Sequence, residues 1–211
     1  MKVLLINGSP RKNGCTYTAL SEIKKTLAEE NIGADIFQLG SKPVRGCIAC
    51  GKCREIGKCV FDDAVNEFTA LAKDYDGFVF GSPVYYSGIN GSLMSFMDRV
   101  FYSSGAQTPK PFFLKPAAAV VSARRAGTTS AIDQINKYFM IQQMPIVSSR
   151  YWNMVHGNTP EQVMQDEEGM QIMRILARNM AWMLKLIESG RKNGVEPPKQ
   201  EDTINFTNFI R

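Results

Sequence analysis

Short continuous apolar runs alternate along this chain with stretches in which apolar residues return every third or fourth position. Lys2-Val3-Leu4-Leu5-Ile6 has strand length and no polar face, the pattern of a strand covered on both sides. Ala19, Leu20, Ile23 and Leu27 then share one helical face, and Asn31-Ile32-Gly33 stops it. Ala34 to Leu39 alternates as a short strand, Asp62 or Asp63 caps a helix running to about Ala72, and Gly77-Phe78-Val79-Phe80 is a buried strand. Leu93, Phe96, Met97, Val100 and Phe101 form the next helical face, and Pro109, Pro111 and Pro116 mark a loop before the strand Ala117 to Val121. Ile132, Ile135 and Phe139 predict a further helix, and Pro145 to Val155 holds a fifth strand region. Met173, Leu176, Met180, Leu184 and Ile187 predict a last long helix that Gly190 and Gly194 end.

Strands alternating with helices predict an α/β fold, a doubly wound five-stranded parallel sheet with helices on both faces. Its ligand belongs outside the carboxyl ends of the strands, at the topological switch point. Residues 1–190 read as one domain, with a Cys-rich loop 46–61 inserted after the second strand. Residues 191–211 read as a C-terminal arm whose Ile204, Phe206, Phe209 and Ile210 suit docking on a partner subunit.

The first strand runs into Asn7-Gly8-Ser9-Pro10-Arg11-Lys12-Asn13-Gly14-Cys15-Thr16. Gly8 and Gly14 permit tight backbone geometry, Ser9, Asn13 and Thr16 bring side-chain donors, Arg11 a charged fork, and the following helix its free N–H groups. The loop is suited to a phosphate, yet neither G-x-x-x-x-G-K-[ST] nor G-x-G-x-x-G occurs, which disfavours a nucleoside triphosphatase and a standing dinucleotide site. After the third strand, Gly81-Ser82-Pro83-Val84-Tyr85-Tyr86-Ser87-Gly88 offers backbone groups for a ring edge and aromatic faces for a ring. After the fourth, Ser122-Ala123-Arg124-Arg125-Ala126-Gly127-Thr128-Thr129 completes the same rim, with Arg124 read as solvated and Arg125 balanced between solvent and ligand.

Composition narrows the partners. At 211 residues and 44% hydrophobic, the chain has ample material for one core. Its net charge of +5 comes from 25 basic and 20 acidic residues without a basic run, so nucleic acid is not implied, while anionic small ligands and an acidic protein partner are suited. The longest apolar stretches are too short to span a bilayer and the N-terminus enters a strand, so the expectation is a soluble cytoplasmic protein with no membrane partner. Four of the five cysteines fall in the spacing C-x2-C-x2-C-x5-C, which points to metal or redox chemistry before structural disulfides. Four thiolates in so compact a loop suit a cubane cluster, with Lys52, Arg54 and Lys58 offsetting its charge; zinc, buried apolar cysteines and a reversible disulfide stand as alternatives. The lone His156 reads as a loop-capping or surface residue, and the methionines from Met140 to Met183 as core filling or a dimer face.

Through Gly8-Ser9-Pro10-Arg11 to Thr16, Gly81-Ser82-Pro83-Val84-Tyr85 and the loop after strand four, the chain resembles the NADPH-dependent FMN reductase family of flavodoxin-like proteins. The resemblance implies FMN, with its phosphate on Ser9, Arg11, Asn13, Cys15 and Thr16. It places the ring on Pro83, Val84, Tyr85, Tyr86 and Gly88, with further contacts from Ser122, Arg125, Gly127 and Thr128. Cys15 departs from the small polar residue frequent in the family. The cysteine spacing resembles that of the iron-sulfur flavoproteins, which implies a [4Fe-4S] cluster on Cys47, Cys50, Cys53 and Cys59 and a homodimer or dimer of dimers. The function expected is an FMN-dependent oxidoreductase without a catalytic acid or base, passing electrons from NAD(P)H as transient donor, or from a carrier such as ferredoxin, to a small-molecule electron acceptor. The rival expectations are a flavodoxin-type electron carrier, which the basic charge disfavours, and a Cys-based redox or metal sensor.

Overall fold

The computed structural model describes residues 1–200 together with 205 and 207, so Ile204, Phe206, Phe209 and Ile210 of the arm lie outside the described residues. In chain order the elements are β1 (Lys2–Asn7), α1 (Cys15–Glu29), β2 (Gly33–Gln38), α2 (Cys53–Ile56), α3 (Ala64–Leu71), β3 (Gly77–Tyr85), β4 (Gly88–Ile89), α4 (Gly91–Ser104), β5 (Ala117–Ala123), α5 (Thr128–Ile141), β6 (Met154–His156), α6 (Pro160–Gln165) and α7 (Glu167–Lys192). The sheet order is β2-β1-β3-β5-β6, and every neighbouring pair on that path is parallel. A sixth strand, absent from the sequence expectation, is the two-residue β4, the antiparallel return of a hairpin on β3. No described helix is long and apolar enough to cross a membrane.

Side-chain alternation on the strands divides the core in two. Leu4, Ile6, Phe78, Phe80, Ala119 and Val121 face one way and pack under α3, α4 and α5 through Phe68, Phe96, Val100, Ile135 and Phe139. Val3, Leu5, Val79, Ala118 and Val120 face the other way, under α1 and α7 through Leu20, Ile23, Met173, Leu176 and Met180. Glycine is required where β1, β3 and α1 converge: a Cβ on Gly81 would lie 2.9 Å from both Leu20 and Thr16, and one on Gly8 would lie 2.8 Å from the Gly81 carbonyl oxygen.

The fifth strand departs from the expected Pro145 to Val155. The chain touches β5 at Ile146 beside Ala117 and again at Met154 beside Val121. Twice as many residues separate the contacts on the outer chain as on β5, so the surplus loops out, carrying Tyr151 and Trp152 to the surface. Only Met154–His156 remains as ladder. The six-residue α6 is too short to leave a periodic pattern, though Thr159 caps it and Pro160 opens it.

Candidate functional site

Chain order reverses between β1 and β3, and the loops that follow them part at the carboxyl edge of the sheet. The β1 loop is held from beneath by the buried Asn7. Its Nδ2 donates to Gln38 Oε1 at 2.6 Å and to the Lys12 carbonyl at 3.3 Å, and its Oδ1 accepts from the Ser9 N–H at 3.2 Å. Gln38 in turn donates to the Ser9 carbonyl at 2.8 Å, and Ser9 Oγ accepts from the Arg11 N–H at 3.1 Å. The loop delivers the chain into α1, whose N-cap Gly14 supplies no side-chain oxygen and whose first turn holds no acid. The leading N–H groups of α1 therefore point outward without an internal partner. α5 opens in the same way, on Gly127 in the left-handed region at φ 91° with no side-chain cap. By contrast α3, α4, α6 and α7 are capped by Asp63, Asn90, Thr159 and Asp166.

The three predicted loops meet. Thr16 Oγ1 and Ser122 Oγ lie 2.8 Å apart, joining the first to the third. A Cβ on Gly127 would stand 2.7 Å from Ser87 Cα and 3.0 Å from Val84, so the third loop crosses directly over the hairpin of the second. That hairpin turns through Tyr86 at φ 50° and Ser87 at φ 59°, both left-handed without being glycine, a strained geometry typical of binding loops. Gln134 on α5 steadies its return by accepting from the Ile89 N–H at 3.0 Å.

Between the loops lies an open cleft of about 210 Å³ lined by Ser9, Arg11, Cys15, Thr16, Pro83, Val84, Tyr85, Ser122, Ala123, Arg124, Gly157 and Asn158. Eight of the sequence-predicted residues are thus brought together there. Asn13, Tyr86, Gly88, Arg125, Gly127 and Thr128 stand outside the lining: Tyr86 is fully exposed at the hairpin tip, and the Arg125 carbonyl faces His156 Nε2 at 3.1 Å. Arg124 takes the place expected of Arg125. Gly157 and Asn158, after β6, were not singled out; the rule that every loop at the carboxyl edge is a candidate would have found them. Burial pushes the Cys15 thiol above its ordinary pKa, so it meets the cleft as a neutral donor, its Sγ 3.6 Å from the Gly157 carbonyl.

A second cavity, of about 20 Å³, lies under the segment between β2 and α3. Cys47, Cys50, Cys53 and Cys59 all line it, with Phe61, Arg99 and Tyr102 among the others. All five cysteines of the chain are free thiols, and Cys47 and Cys50 are exposed, unlike cysteines that serve as core packing. Burial raises the Cys53 pKa, and the neighbouring Cys50, Cys47 and Cys59 raise it further, which puts those three sulfurs within electrostatic reach of Cys53. Among the described residues no three His, Cys, Asp or Glu side chains are drawn close enough to grip a metal ion. In number and kind, four thiols around one cavity match the donor set of an iron-sulfur cluster.

Arg99 of α4, outside the sequence-predicted set, is 1% exposed and touches Cys59, Asp63 and Arg45. By helical spacing Arg99 lies beside the apolar face of Leu93, Phe96 and Val100, so local periodicity carries no signal for its burial.

The family model for NADPH-dependent FMN reductases matches residues 1–159. The chain belongs to this family. Within it, an iron-sulfur flavoprotein of Methanocaldococcus jannaschii is 34% identical over 194 residues, covering 89% of this chain and 100% of the relative. One from Methanosarcina thermophila is 28% identical over 196 residues, covering 90% and 99%. Among solved structures, a flavone reductase superposes with a TM-score of 0.68 at 18% identity, over 89% of this chain and 64% of that one. A flavodoxin from the Archaea superposes at 0.57 and 16% identity, over 88% and 99%. At such identities these two speak for the flavodoxin-like fold. Membership of the FMN reductase family makes the chain an FMN flavoprotein with oxidoreductase or electron-carrier chemistry.

Proposed function

We propose that this FMN reductase family member is an oxidoreductase that passes electrons from NAD(P)H or a reduced carrier to a small-molecule acceptor, with a [4Fe-4S] cluster as a second redox group. The convergence of three strand-end loops on one cleft, under two uncapped helices, carries the proposal. Ser9, Arg11, Asn13 and Thr16, with the N–H groups opening α1, bind the FMN phosphate; the protonated Cys15 adds no repulsive charge. Pro83, Val84, Tyr85, Tyr86 and Gly88 orient the ring from one side, and Ser122, Arg125, Gly127 and Thr128, joined by Arg124, from the other. FMN held there supplies the capacity to accept a hydride or single electrons. The cleft lining contains no carboxylate and no imidazole, so its residues bind and orient while protons exchange through the open mouth.

Cys47, Cys50, Cys53 and Cys59 would hold the cluster, which would supply one-electron exchange with FMN and with an external carrier such as ferredoxin. The iron-sulfur flavoprotein names of the relatives support this assignment. A homodimer or dimer of dimers completes the proposal, supported by the exposed Tyr151, Trp152 and Trp182. The exposed Cys47 and Cys50 favour one second reading, a thiol redox sensor, in which steady NAD(P)H oxidation is absent.

An absorption spectrum with iron and sulfide assays on protein purified without oxygen tests the proposal. Two flavin bands, a broad shoulder bleached by dithionite and about four irons per chain are expected for one [4Fe-4S] cluster. Flavin without iron removes the cluster, and protein that cannot be reconstituted with FMN removes the cleft assignment.

A further inference from the structure

The segment from Arg45 to Asp63 departs from the sheet and carries only one turn of helix. Its two ends are nevertheless fastened to the same side chain. Arg99 Nη1 donates to the Arg45 carbonyl at 3.2 Å, just before the first cysteine. Arg99 Nε and Nη2 lie 3.3 and 3.2 Å from Cys59 Sγ, the last cysteine. Nη1 and Nη2 also grip Asp63 at 2.6 and 2.9 Å, and Nη2 is 3.5 Å from the Phe61 carbonyl. Asp63 is itself tied to α3 by accepting from the Val65 N–H at 3.1 Å. The Phe61 ring lies within cation–π distance of two guanidinium groups, 5.0 Å from that of Arg99 and 5.1 Å from that of Arg45.

A salt bridge to Asp63 explains only part of this arrangement. A guanidinium has five N–H donors in a rigid fork, and here they divide among a carboxylate, two carbonyls and one sulfur. A thiol sulfur is a weak acceptor, whereas a metal-bound thiolate carries charge and accepts well. A guanidinium stays protonated in proteins, and Asp63 pairs its charge here. The group is thus a fixed cation in contact with one of four sulfurs that share a cavity.

We propose that Arg99 is a positioning residue for the four-cysteine centre, clasping both ends of the loop so that Cys59 faces the cavity while two N–H groups point at its sulfur. The inference rests on the reading of those cysteines as cluster ligands. Donors aimed at a ligand sulfur withdraw electron density and raise the reduction potential of an iron-sulfur centre. Arg99 therefore sets both how firmly the cluster is retained and how readily it is reduced.

The test uses the full chain purified without oxygen, with FMN content as an internal control. Arg99→Lys keeps the charge but loses the fork. It is expected to retain FMN, to release iron to a ferrous chelator at least about tenfold faster than wild type, and to show a lower midpoint potential by redox titration with electron paramagnetic resonance. A tenfold change in the oxidised-to-reduced ratio, about 59 mV for one electron, sets the scale. Equal iron release and equal potential in Arg99→Lys overturn the inference. Should that variant lose FMN and cooperative melting, the paired variant Arg99→Met with Asp63→Asn removes both charges together and carries the same expectation and the same overturning result. Wild-type protein without iron fails the cluster reading and the inference with it, whereas iron-replete wild type beside an unperturbed Arg99→Lys fails the inference alone.

Discussion

The cleft and the cysteine cavity lie at opposite extremes of construction. The cleft is built on strand ends, so the sheet ladders fix its backbone, and polar side chains only trim the loops. The cavity is built on a segment bent through left-handed Ala49, Gly51 and Gly57, with one four-residue helix. There a few side chains do what the sheet does elsewhere: Arg99 from α4, and Asn66 from α3, which accepts from the Cys59 N–H at 3.0 Å and donates to the Cys59 and Phe61 carbonyls at 2.9 Å each. A site resting on ladders should tolerate single truncations that a site resting on side chains should not.

The largest effect is expected at Asp63, which neutralises the buried Arg99 and caps α3. Asp63→Ala should cost roughly 3 kcal/mol in urea unfolding, toward the lower end for breaking a buried pair because the carboxylate is 34% exposed. A loss below about 1 kcal/mol would mean that the clasp is not a structural dependency. Asn66→Ala comes next at about 2 kcal/mol, since three backbone groups lose their partner at once. On the cleft side, Arg11→Glu should leave the melting of FMN-free protein unchanged and weaken FMN binding about thirtyfold, roughly 2 kcal/mol, by opposing the phosphate. Unchanged affinity by fluorescence titration would move the phosphate off the β1 loop. The smallest effect is expected at the exposed hairpin tip, where Tyr86→Asn keeps a residue tolerant of positive φ and should shift unfolding by less than about 0.5 kcal/mol.

These two regions also differ in how far they were legible in the sequence. The strand parity that separates Leu4 and Ile6 from Val3 and Leu5, and the helical face from Leu93 to Phe101, follow from local periodicity, and the rim loops follow from them. Arg124, one residue past the end of β5, lines the cleft at a position that the period of the strand does not reach. β4 was hidden because its turn uses Tyr86 and Ser87 where a pattern reader looks for Asn-Gly. β6 was overdrawn because Ile146, Val147, Tyr151 and Trp152 bring strand-type side chains, although Ser148, Ser149, Arg150 and Asn153 interrupt them. The clasp left no periodic trace, since Arg99 meets Cys59 and Arg45 across 40 and 54 positions of chain.

The uncapped starts of α1 and α5 have a thermodynamic consequence. Helix ends that find their partner in a ligand tie folding to the supply of that ligand, because only the folded chain presents them. Resistance to heat should therefore climb with the logarithm of free flavin, and proteolysis should thin out copies that fold without enough of it. Two helix starts that a ligand completes make the protein's own lifetime a gauge of its cofactor supply.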